Sequence, residues 1–258
     1  MDAPIIELFD DEGIINGTTY ANASEGFAEK QQILRDKGID TCLFIFSRVM
    51  VEDLAPDMEE FYLFKNASNE NRAYIYKNKF LISFAPLGGN CAGGMMEELG
   101  FMGIKKFFAC GSAGQIDHSK NGSAFILVDR AIRDEGTSYH YLPASIYART
   151  DKELTSALAQ FLKENRFEYF VGTTWTTDAF FRETQKAVDK RRSQGAVCVE
   201  MECASWCAIA EYRGYQFAQL LYFSDAVKQD AWDWKIDKHA LKEAVIKIMV
   251  KFLEEQCK

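Results

Sequence analysis

Four stretches of the chain carry residue types that could do chemistry together. Val197-Cys198-Val199-Glu200-Met201-Glu202 runs an apolar segment straight into two carboxylates two residues apart, which would point the same way on a continuing strand. Burying a carboxylate is costly unless donors meet it, and the two hydroxyls of a ribose 2′,3′ diol are such donors. The other reading is a pair of solvated carboxylates at a helix N-terminus, where the helix dipole favours them. Leu220-Leu221-Tyr222-Phe223-Ser224-Asp225 repeats the pattern of an apolar run ending in a carboxyl group. Asp225 is there either a proton donor to a leaving group or a cap or turn residue. Gly111-Ser112-Ala113-Gly114 is either a tight turn or a place where backbone N–H groups approach an anion or a sugar, with the Ser112 hydroxyl as a further donor. Gly88-Gly89 opens a glycine-rich loop that runs to Gly94.

To act together these groups must be delivered to one place, and hydrophobic patterning supplies the elements. Thr41–Ser47 reads as a strand buried on both faces, and 72–76 with 79–85 as a hairpin turning at Lys77-Asn78. Further strands are predicted over 105–110, 124–129, 169–173, 196–200 and 216–223. Helices are predicted over 25–37, 49–54, 95–102, 182–193 and 202–212. Thr150-x-x-Glu153 reads as a capping box before Leu154, Leu158, Phe161 and Leu162, and Asp237 can cap a terminal helix striped by Leu241, Val245, Ile248 and Phe252. Residues 1–24 read as a loop-rich entry segment. The alternation predicts an α/β fold, three layers (α/β/α) around a central mixed sheet, with 1–258 as a single domain. In such a sheet, ligands bind beyond the carboxyl ends of the strands.

Composition narrows the function class. The 258 residues, 48% hydrophobic with only 4 prolines, are those of a packed globular protein. The net charge of -8 disfavours nucleic acid and anionic membrane as partners, and Lys190-Arg191-Arg192 reads as a solvated helix face. Seven cysteines, mostly in apolar runs, and an N-terminus without a basic or apolar leader lead us to expect a cytoplasmic protein. His118, His140 and His239 are too scattered for a metal site. The Asn-x-Ser/Thr triplets at Asn16, Asn22, Asn66 and Asn121 read as turn chemistry.

The ordered set Gly88-Gly89, Gly111-Ser112-Ala113-Gly114, Val199-Glu200-Met201-Glu202 and Ser224-Asp225 resembles the family of uridine phosphorylase, hexameric purine nucleoside phosphorylases and methylthioadenosine nucleosidases. Residues 133–141 and 175–180 look like its uridine-phosphorylase-like bacterial branch. The resemblance implies cleavage of a purine nucleoside by phosphate to free base and ribose 1-phosphate; a phosphate-independent nucleosidase, a uridine phosphorylase and a non-catalytic nucleoside-binding protein are its alternatives. It implies Asp225 as the acid that protonates purine N7, and Glu202 with Met201 at the ribose. It implies Phe180, Gly114, Glu200 and Ser224 around the base and Ser112 and Gly89 at the phosphate, while Arg48 is expected to supply the phosphate cation from a position shifted relative to the family's own arginine. No cofactor or metal is implied beyond inorganic phosphate as co-substrate, and a homo-oligomer, dimer or hexamer, is expected. Two departures stand out. The family's Gly-Asp-Pro loop has no match after Phe46, and its arginine ahead of the glycine loop falls on Ala109.

Overall fold

The computed structural model describes residues 8–9, 12–46, 54–65, 70–228, 231–233 and 239–257. Eleven strands, β1 (Thr41–Ile45), β2 (Met58–Lys65), β3 (Glu70–Tyr76), β4 (Phe80–Phe84), β5 (Lys106–Gln115), β6 (Phe125–Asp134), β7 (Tyr147–Arg149), β8 (Tyr169–Thr177), β9 (Ala196–Glu200), β10 (Gln216–Lys228) and β11 (Ala231–Asp233), join one mixed sheet. Around it lie α1 (Gly17–Ala23), α2 (Phe27–Lys37), α3 (Gly89–Met102), α4 (Lys152–Glu164), α5 (Gln185–Ser193), α6 (Cys203–Arg213) and α7 (His239–Gln256). Strand β5 is the hub. It pairs in parallel with β1 and β10, and its far end turns to pair antiparallel with β9. With the β10–β6, β6–β8 and β8–β9 pairings this closes a ring of five strands.

The double burial expected of the apolar runs follows from their alternation. Cys42 and Phe44 of β1, with Phe107 of β5, face Leu34, Met96, Leu99 and Trp206 from α2, α3 and α6. Leu43, Ile45 and Phe108 face Leu158, Phe161, Met249 and Phe252 from α4 and α7. The three-layer expectation therefore holds, with helices on both faces of the sheet. Trp206 fastens the first face, stacking on Phe44 at 5.1 Å and donating through Nε1 to the Ala92 carbonyl at 3.0 Å.

Several expectations on individual elements are revised. The entry segment contains α1, whose N-cap Asn16 accepts from the Thr18 and Thr19 amides. Thr150 is not the cap of α4: Asp151 accepts from the Leu154 N–H at 2.8 Å, while the Thr150 hydroxyl donates to the Val128 carbonyl. The basic run is not a purely solvated face, because Arg191 pairs with Asp134 at 2.8 Å and lies over Trp175. The helix predicted over 49–54 and the cap Asp237 lie outside the described residues, apart from Leu54. No described helix is long and apolar enough to cross a membrane.

Candidate active site

The ends of β5, β8, β9 and β10 converge on one place because β5 is shared. Asp225 of β10 lies in register with Gly114 of β5, and Gly114 on its other side pairs with Val199 of β9. The strand that carries Asp225, which runs on past the expected limit at 223 to Lys228, and the strand that leads to Glu200-Met201-Glu202 are thus one glycine apart. The β10 register shifts between Phe223 and Asp225, placing Ser224 at the irregularity, and the Ser224 hydroxyl donates to Asp225 Oδ1 at 2.6 Å. Gly114 is buried between these strands, while Ser112, opposite Tyr222, is exposed.

Glu202 is 4% exposed and accepts at Oε1 from the Gly88 N–H at 2.7 Å. Gly88 takes φ +92 at the N-cap of α3, a conformation that suits glycine. Its amide therefore serves Glu202, where an anion site at the glycine loop had been the expectation. Gly89 is buried, and a Cβ there would fall 2.1 Å from Ser205 Oγ. It is the close approach of α3 to α6 that requires glycine at this position. Burial, followed by the neighbouring Glu200, pushes the Glu202 carboxyl up to about 8.

Glu200 differs from the pocket-lining residue expected. Both of its oxygens are occupied inside the protein. Oε1 accepts from the Thr176 hydroxyl at 2.5 Å and the Thr174 hydroxyl at 3.3 Å, and Oε2 accepts from the Glu202 and Cys203 amides at 2.8 and 2.7 Å. The Ala204 amide donates in turn to Thr176 Oγ1 at 3.0 Å. Three amides at the start of α6, which have no intrahelical acceptor, thus end on Glu200 and its hydroxyl partner. Glu200 is a positioning residue for Glu202. Burial raises its carboxyl, against the opposing pull of these donors.

Three further residues escaped the sequence reading. Asp178 accepts from the Gly136 N–H at 2.8 Å and lies near enough to Glu202 to raise its carboxyl further. Glu135 accepts at Oε2 from the Ser205 hydroxyl and the Ser138 amide, bracing the loop after β6 against α6. Glu183 follows a 3-10 turn at Phe180–Arg182, and burial, with Asp225 adding to it, pushes its carboxyl up to about 7. Their spacing carries no signal, since Asp178 meets Gly136 and Glu135 meets Ser205 across 42 and 70 residues of chain. Phe180, 39% exposed, packs edge-on against Phe181. Arg48 lies outside the described residues. Ala109 is fully buried and paired with Phe44, so its position offers no cation to the site.

A cleft of about 1400 Å³ opens beside Glu202, lined at this end by Gly88, Gly136, Asp178 and Met201. It continues over α3 to Arg213 and Tyr212, and is wide enough for a nucleoside-sized ligand. Glu202 itself, Asp225, Ser112 and Phe180 are not among its lining residues.

A model of the phosphorylase superfamily matches residues 57–254. Among characterised relatives, a guanosine phosphorylase from Halorubrum lacusprofundi is 29% identical over 119 residues, 46% of this chain and 49% of that protein. A uridine phosphorylase from Haemophilus influenzae is 29% identical over 108 residues, 42% of this chain and 43% of that protein. A uridine phosphorylase from Escherichia coli is 24% identical over 157 residues, 55% and 62% respectively. The chain spans about half the length of these relatives.

Proposed function

The chain belongs to the phosphorylase superfamily, and on that premise we propose that it cleaves the N-glycosidic bond of a purine nucleoside, passing the sugar to inorganic phosphate. The observation that carries this reading is the convergence of Asp225 and the Glu200–Glu202 segment on Gly114. It sets a carboxyl able to meet a leaving base beside a buried carboxyl able to hold a sugar diol.

In the proposed reaction a phosphate oxygen attacks C1′ while the C1′–N9 bond breaks, its electron pair passing into the purine. Charge of oxocarbenium character develops on the sugar, as in other glycosyl transfers. Asp225 gives its proton to N7, so the base leaves neutral and Asp225 is left ionised. Glu202 holds the ribose with Met201 against the sugar, Phe180 and Gly114 flank the base, and Ser112 contacts the phosphate. Glu200 acts through Glu202, by the hydrogen bonds to its amide and to that of Cys203. No cofactor enters, inorganic phosphate being the co-substrate. The working form is a homo-oligomer, supported by the large apolar side chains left exposed beside the site, Leu87 at 73% and Phe181 at 94%.

Base release by water is a second reading, favoured by the buried Ala109 where phosphorylases carry an arginine. The role of Asp225 is tested by Asp225→Asn. General-acid help of this kind contributes about 10²- to 10⁴-fold, so kcat on purine nucleosides should fall by that factor with KM changed far less. Equal changes in both, or no change, would remove Asp225 from the role.

A further inference from the structure

The loop after β6 is held by one guanidinium. Arg133 is buried, and all five of its N–H groups end on residues 138–145. Nε donates to the Ser138 hydroxyl at 2.8 Å, Nη1 to the Pro143 carbonyl at 2.7 Å and the Ser145 hydroxyl at 2.8 Å, and Nη2 to the Ser138 and Leu142 carbonyls at 2.8 and 3.1 Å. The guanidinium lies over the Tyr139 ring, 4.2 Å from its centroid, and the Tyr139 hydroxyl donates back to the Arg133 carbonyl. Every one of these acceptors is neutral. Burying a cation in this way is costly and weak as a source of stability, but five bonds from a rigid fork to one short loop fix the shape of that loop.

That shape is one wall of the cleft, formed by Gly136, Thr137, His140 and Tyr141. The loop is tied a second time where it leaves the strand, since Glu135 accepts from the Ser138 amide at 2.9 Å and from the Ser205 hydroxyl of α6 at 2.8 Å. Between the two ties the Gly136 N–H donates to Asp178 Oδ2 at 2.8 Å. Asp178 lines the cleft together with Met201 and with Gly88, whose amide meets Glu202. Its Oδ1 accepts no hydrogen bond among the described residues. The loop therefore sets the orientation of this carboxylate and leaves one oxygen for a donor on the ligand.

We propose that Asp178 is a second acceptor for the sugar hydroxyls beside Glu202, and that Arg133, which is not among the cleft-lining residues, is its positioning residue. This rests on the reading of the site as a nucleoside-cleaving one and adds how the sugar is gripped.

The experiment uses the full-length protein as wild type, Asp178→Ala, Arg133→Lys and the double variant. It measures kcat and KM for inosine and its 2′-, 3′- and 5′-deoxy analogues, with calorimetric binding of inosine and free hypoxanthine. Arg133→Lys keeps the charge and loses the planar fork. A hydrogen bond to a charged group is worth enough that each single variant should raise the inosine KM at least about tenfold, with kcat and hypoxanthine binding changed by less than about threefold. The double variant should be no worse than the weaker single, because both changes act through one carboxylate. One deoxy analogue should lose nothing in Asp178→Ala, which identifies the hydroxyl. An unchanged inosine KM in Asp178→Ala, an equal loss on inosine and all three analogues, or losses that add in the double variant overturn the proposal. A smaller active fraction at unchanged KM in Arg133→Lys, the mark of a merely structural role, does so too. Should Arg133→Lys fail to fold, Asp178→Ala and the analogue series decide. If inosine binding weakens in the variants but no nucleoside is cleaved, the sugar-binding role stands and the catalytic reading fails. If inosine is cleaved equally well by wild type and variants, the reverse holds.

Discussion

The role we propose for Glu202, holding a sugar diol, asks for a carboxylate shielded from water, and Glu202 is 4% exposed. Its burial beside Glu200 raises its carboxyl to about 8, so the folded protein binds the proton more tightly than the unfolded chain, whose value is near 4.5. Stability from that proton is fully present below about 4.5 and is lost as pH rises through about 8, because the unfolded state then releases it first. The ligand-free protein should therefore show a Tm that falls between about pH 5 and pH 8.5, with a flatter profile in Glu202→Gln; parallel profiles in scanning calorimetry would contradict this placement. At this scale the sequence shows only that Glu202 and Asp225 close apolar runs. It does not reveal that Glu200 is consumed by Thr174 and Thr176, nor that Asp225 adds to the rise of the Glu183 carboxyl. Those relations exist only once β8, β9 and β10 are side by side.

Helix α6 is the element on which the Glu202 end of the site depends, and its first turn is anchored from outside by Glu200 and Thr176. Glu200→Ala would leave two amides and two hydroxyls without their acceptor. Each buried group left unsatisfied costs about 1–3 kcal/mol, so the loss should be on the order of 3 kcal/mol or more, read as a fall in the denaturation midpoint. A variant as stable as wild type would show that the anchor is not needed. Most elements are legible in the sequence because double burial leaves continuous apolar runs, and β9 falls at its expected limits. The glycines mislead. Helix α3 begins at Gly89 and not at Met95, since its glycines let it pack closely on α6, where a Cβ on Gly93 would lie 2.6 Å from Ile209 Cδ1. Strand β5 likewise runs on through Gly111 and Gly114 to Gln115, where the sequence suggests a turn. A turn residue by type is here a strand residue that lets Phe46 and the neighbouring strands approach.

At the scale of the molecule, the five-strand ring holds the site on rigid backbone, while apolar side chains stand exposed around it. Phe181 at 94% and Leu87 at 73% are large groups to leave in water. We expect a dimer or hexamer in light scattering at micromolar concentration; a monomer would contradict this. The three-layer architecture is legible from the alternation of strands and helices, whereas ring closure is not, because it depends on β5 bending from β10 to β9. The most direct test of the account is to incubate the purified protein with guanosine, inosine, adenosine and uridine, with and without inorganic phosphate, and to separate the products. The account predicts free purine base with ribose 1-phosphate, formed only when phosphate is present. Free base with free ribose in the absence of phosphate, or no base released from any of the four, would contradict it.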